Sequence, residues 1–107
     1  MKPLPPSLRE NERYLRFKVH SGEPVQFGDL VDAVWDAVLG YLGARDASQA
    51  NIWIVKNRFD HDSQRGVIKF DRETQEDVRA ALSQLTAVKG QECFLEVEKI
   101  SGSIDKL

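Results

Sequence analysis

Between Arg13 and His20 the chain alternates, with Leu15, Phe17 and Val19 on one side and Tyr14, Arg16, Lys18 and His20 on the other. A period of two predicts a half-buried strand. Ser21-Gly22-Glu23-Pro24 ends it, and from Phe27 the period changes. Phe27, Leu30, Val31, Val34, Trp35, Val38, Leu39 and Leu42 follow helical spacing along one stripe. That stripe predicts an amphipathic helix, with Gly43 as its stop because glycine accepts the left-handed conformation beyond a last turn. Residues 51–58, rich in Ile52, Trp53, Ile54 and Val55, predict a second strand, and Gly66-Val67-Ile68-Lys69-Phe70 a third. The Asp60–Gly66 segment between them has turn composition. Asp71 or Thr74 can cap a second helix whose buried face is Val78, Ala81, Leu82 and Leu85, with Gly90 at its exit. Cys93, Leu95 and Val97 then alternate with Phe94, Glu96 and Glu98 in a fourth strand.

The order strand–helix–strand–strand–helix–strand predicts an α+β, ferredoxin-like (RRM-like) sandwich. It has a four-stranded antiparallel sheet with two helices on one face and the first and third strands central. A chain of 107 residues supports one such domain, expected over 13–107. Ahead of it, residues 1–12 form a proline-containing arm whose Lys2-Pro3-Leu4-Pro5-Pro6 start suits an extended, polyproline-like conformation.

Net charge is −2, which by itself argues against a nucleic-acid partner. The distribution changes that picture: residues 1–20 carry +3, 21–55 carry −4, 56–72 carry +2 and 73–107 carry −3. If the apolar sides of the strands meet the helices, Arg16 and Lys18 from the first strand and Lys69 from the third share the opposite sheet face. Arg13, Lys56, Arg58, Arg65 and Arg72 lie at or near strand ends, within reach of the same rim. The expectation is an RNA-binding patch on an acidic protein, with a plainly solvated sheet face as the bland alternative. The third strand does not match the RNP aromatic pattern, which favours recognition of RNA backbone and shape. Asp29, Asp32 and Asp36 form an acidic stripe on the first helix, either solvated or a docking face for a basic partner. Trp35 fits the core better than an interface.

Enzymatic chemistry finds little to build on. Asp60-His61-Asp62 is the best carboxylate cluster, in a loop where aspartates serve turns, and it carries only a distant reading as a metal-dependent nuclease. Glu96 and Glu98 suit a solvated strand edge. The single cysteine, Cys93, reads as a small buried hydrophobe in a reducing compartment. No phosphate-loop or zinc spacing occurs. No catalytic residue and no metal ligand is expected in this chain. Nor does any apolar stretch suit a membrane span or a signal peptide, so a cytoplasmic protein is expected.

Several stretches resemble the family of archaeal ribonuclease P protein component 2, the Pop-five-type subunits shared with eukaryotic ribonuclease P and RNase MRP. They are Leu4-Pro5-Pro6-Ser7-Leu8-Arg9-Glu10 with Arg13-Tyr14-Leu15, Ala33-Val34-Trp35-Asp36-Ala37 with Leu42-Gly43, Gly66 to Arg72, and Ser101-Gly102-Ser103-Ile104. The resemblance implies a subunit that supports a catalytic RNA in removing 5′ leaders from precursor tRNA. It also implies component 3 as protein partner, two copies of each, with magnesium ions bound by the RNA and no cofactor in this subunit. Relatives often continue past the last segment with a Lys/Arg-rich tail, whereas here it runs to Asp105-Lys106-Leu107. That departure shifts part of the expected role to the partner. The alternative is a ferredoxin-like protein-interaction or ligand-sensing domain without an RNA role.

Overall fold

The computed structural model describes residues 12–107. Of the expected proline-containing arm only Glu12 falls among them, and it already belongs to the first strand. The elements are β1 (Glu12–Ser21), α1 (Phe27–Ala50), β2 (Trp53–Ile54), β3 (Arg65–Asp71), α2 (Gln75–Ser83), β4 (Ala87–Val88) and β5 (Gln91–Ser101). Short 3-10 turns cover Lys56–Arg58, Arg72–Thr74 and Ile104–Lys106. The strands form one antiparallel sheet in the order β2-β3-β1-β5-β4.

β1 and β3 are central, as the crossover rule requires. The sheet has five strands rather than the expected four, because Ala87–Val88 turns back onto the start of β5. The second strand is also shorter than expected. Val55 still bonds to β3, but Lys56–Arg58 then coils into a 3-10 turn.

Leu15, Phe17 and Val19 of β1, Ile68 and Phe70 of β3, and Cys93 and Leu95 of β5 turn one sheet face toward the helices. Leu30, Val34 and Val38 of α1 and Val78, Ala81 and Leu82 of α2 close the core over them. Burial of the Cys93 thiol raises its pKa, keeping it protonated and inert. Leu39, expected in the stripe, is 44% exposed. It stands nine residues beyond Leu30, which is a rotation of about 180° on an α-helix, and so leaves the wedge. Gly43 breaks the helical geometry at φ 82 and ψ 163, yet α1 resumes beyond it and buries Ala47 and Ala50. The expected stop is therefore a kink. Asp71 caps the turn into α2 by accepting from the Glu73 amide at 2.9 Å.

A candidate RNA interface on the outer sheet face

Residues directly opposite across an antiparallel ladder share a face. The β1–β3 register opposes Tyr14 to Lys69, Arg16 to Val67 and Lys18 to Arg65. The β1–β5 register opposes Arg16 to Lys99, Lys18 to Glu96 and His20 to Phe94. Trp53 of β2 lies opposite Lys69. Strand pairing thus gathers Arg16, Lys18, Arg65, Lys69 and Lys99 on the face turned away from the helices, as expected for the first, second and fourth of these. The sequence pattern starts β3 at Gly66 and so puts Arg65 only near the rim, and it ends β5 at Glu98 and so leaves out Lys99.

Carboxylates are interleaved with these cations. The β1–β5 register slips between Arg16 and Phe17, leaving Glu98 as the extra residue of a bulge. A bulge re-aims its side chain. Here Glu98 reaches Arg16 Nε at 3.2 Å and Arg65 Nε at 3.0 Å, with its side chain only 16% exposed. The hydrogen bond from Arg65, with the charges of Arg65 and Arg16, holds the Glu98 carboxyl below the usual carboxylate range despite partial burial. The pair raises Arg65 in turn. Glu98 is therefore a clamp on two arginines, not the solvated edge expected of it. Lys69 lies 3.7 Å from Glu12, and partial burial next to Glu12 raises the Tyr14 phenol. Lys18 and Lys99 have no ion pair among the described residues.

The last turn of the chain folds back across part of this face. Arg16 donates to the Leu107 carbonyl, and Arg58 lies 3.9 Å from Asp105. Val67, outward by register, is buried in the cleft formed by Arg16, Arg58, Arg65 and Leu107.

The remaining predicted residues lie elsewhere. Arg13 opposes the inward-facing Phe70, with Nε buried and unbonded among the described residues and Nη1 3.1 Å from the Cβ position of Gly102. The expected rim contact is instead packed under the segment that follows β5, because Arg13 has the parity of Leu15. Two stretches that carried the resemblance, Arg13-Tyr14-Leu15 and Ser101-Gly102-Ser103, meet at this contact. Lys56 borders an apolar groove with Phe27, Val31, Trp35, Trp53 and Ile54. Trp35 is accordingly half-buried rather than core, and Trp53 is 63% exposed. Arg72 sits in the turn between β3 and α2.

Asp29, Asp32 and Asp36 line an open groove with Gln84, Thr86 and Lys89. Asp29 is not left to solvent alone, since Lys89 Nζ lies 3.9 Å from its carboxylate. In the Asp60–Gln64 turn, Asp60 accepts from the Asp62 amide at 3.0 Å and the Ser63 hydroxyl at 3.1 Å. Those bonds are turn chemistry. Among the described residues, no three of His, Cys, Asp and Glu are grouped to hold a metal ion. Likewise, no described helix is long and apolar enough to cross a membrane.

Comparison with known proteins gives a consistent picture. Residues 13–107 match the Rpp14/Pop5 family. Ribonuclease P protein component 2 of Thermococcus kodakarensis is 37% identical over 106 residues, covering 99% of this chain and 87% of that protein. The component 2 protein of Methanocaldococcus jannaschii is 33% identical, covering 99% and 76%. Among solved structures, a chain of yeast ribonuclease MRP superposes with a TM-score of 0.70, covering 96% of this chain and 79% of that one at 10% identity. The last is a likeness of fold.

Proposed function

The chain belongs to the Rpp14/Pop5 family, and from that premise we infer that it is a protein subunit of ribonuclease P. It works in a tRNA-processing ribonucleoprotein, supporting the catalytic RNA in removal of the 5′ leader from precursor tRNA. The observation that carries this reading is the match to component 2 proteins along 99% of the chain. The outer sheet face adds a physical route, since five cations from three strands converge there. Arg16, Lys18, Arg65, Lys69 and Lys99 supply phosphate contacts, with Arg58, Lys56 and Arg72 at the flanks. Phosphate neutralisation releases counterions, so the contribution weakens as salt rises.

In this reading the cleavage chemistry belongs to the RNA and its magnesium ions, and the complex works in the cytoplasm. Component 3 is the protein partner, two copies of each. The groove of Asp29, Asp32 and Asp36 suits a basic segment of a protein partner, because Asp32 and Asp36 have no ion pair among the described residues.

Reconstitution tests the reading. The chain, added with its partner to the cognate RNA, is expected to restore precursor-tRNA cleavage at a salt concentration where the RNA alone is inactive. Cleavage that does not respond to the chain removes the proposed function. Cleavage by protein alone, lost in Asp60→Asn with Asp62→Asn, would assign the chemistry to the chain instead.

A further inference from the structure

The corner of the outer face where β1 meets β5 holds an aromatic pair that backbone contacts leave unexplained. His20 and Phe94 are cross-strand partners, their rings stacked with centroids 4.6 Å apart and planes 8° from parallel. His20 Nε2 is 2.7 Å from Glu96 Oε1, which fixes the imidazole plane. One side of Phe94 is thereby occupied, yet the residue stays 57% exposed. Leaving that much ring in water forfeits burial that would otherwise stabilise the fold. Lys18 lies next to His20 on this face, with no ion pair among the described residues.

We propose that the free face of Phe94 receives an unpaired base of an RNA strand, extending the His20–Phe94 stack by one ring while Lys18 holds the neighbouring phosphate. The proposal rests on the reading of the chain as an RNA-associated subunit and names what the RNA presents to it. A nucleobase is planar and offers a π-face whatever its identity, so stacking is tolerant of sequence. A rigid parallel pair is already ordered, so adding a third ring costs little side-chain entropy. The adjacent unpaired ammonium supplies the charge that a strand carries with every base. An apolar protein segment would make no use of that cation. The site lies on β1 and β5, not at the third-strand positions of the RNP pattern, which explains why the third strand lacks that pattern without excluding bases from the sheet.

The test is fluorescence anisotropy of the full chain with three labelled RNAs: a short single strand, an abasic ribose-phosphate strand of equal length, and a blunt duplex. Wild-type protein is expected to bind the single strand on the order of tenfold more tightly than the abasic strand. Phe94→Leu should abolish that difference while leaving the duplex and abasic affinities unchanged. Phe94→Tyr, which keeps the ring, should retain it. Because Phe94 is exposed, the variants should melt like the wild type. Equal affinity for strands with and without bases overturns the proposal, as does a Phe94→Leu variant that still discriminates. So does a Phe94→Leu loss confined to assembly with the protein partner, which would give this corner to a protein. Each of these leaves restoration of precursor-tRNA cleavage standing as a separate result, so failure of the stacking site and failure of the subunit role are told apart.

Discussion

Glu98 shows how one carboxylate sets the state of two cations. It bonds Arg65 and Arg16 from a bulge in β5, and the Arg65 hydrogen bond leads in holding its carboxyl below the ordinary range. A carboxyl whose folded pKa is depressed stabilises the fold fully above its unfolded value, about 4.3, and loses that contribution as pH falls through the lower folded value. Glu98→Gln preserves shape and removes charge. Thermal melts near pH 7 should place the variant below the wild type by a few degrees, a modest effect because both arginines are well exposed and screened. The gap should close below about pH 4 as the wild-type carboxyl takes up its proton. A gap unchanged into acid would mean that packing of the side chain, not its charge, is what matters.

At the scale of elements, Gly66 of β3 leaves room for the ring of Phe17, its partner across the ladder in β1. A Cβ on Gly66 would stand 2.7 Å from Phe17 Cζ and 3.0 Å from Phe59 Cδ1, both parts of packed aromatic rings. Gly66→Ala is expected to cost about 1–3 kcal/mol through overpacking, measured as a lower urea midpoint with an unchanged slope. A slope that changes would point to a loosened native sheet. The need for glycine here was not legible from composition, which marks Gly66 only as the end of a turn. What periodicity does report is which face a side chain takes, and β1, α1, α2 and β5 follow from it. It is blind to elements too short for a period, so it passes over the two-residue β4 and overextends β2. It also assumes an unbroken ladder. The slip at Glu98 therefore hides a residue that ties β1, β3 and β5 together on the outer face, and ending β5 at Glu98 hides Lys99. Gly43 was legible as a break, but continuation beyond it depends on Ala47 and Ala50 finding the core, which only tertiary packing decides.

For the whole molecule the proposed RNA role raises the issue of how a chain of net charge −2 could attract a polyanion. Folding answers by position, since the acidic stripe of α1 lies on the helix layer and the converging cations on the opposite sheet face. The cations are not equivalent. Arg16 and Arg65 share Glu98, and Lys69 has Glu12 within 3.7 Å, so a phosphate arriving there competes with a carboxylate already in place. Lys18 and Lys99 form no ion pair among the described residues, and Glu96, opposite Lys18 across the ladder, is held by His20 at 2.7 Å. Each phosphate neutralised adds about 0.7–0.9 to the slope of log affinity against log salt. Lys18→Ala and Lys99→Ala should therefore each lower that slope by nearly this amount when the chain, with its partner, binds the RNA. Lys69→Ala should lower it less, because Glu12 already neutralises part of the Lys69 charge. Glu98→Gln should raise it, since two guanidinia are released toward phosphate. Slopes from affinities measured over a series of salt concentrations decide the point. Four variants with the wild-type slope would mean that the sheet face stands clear of the RNA, leaving assembly through the partner as the chain's contribution to the complex.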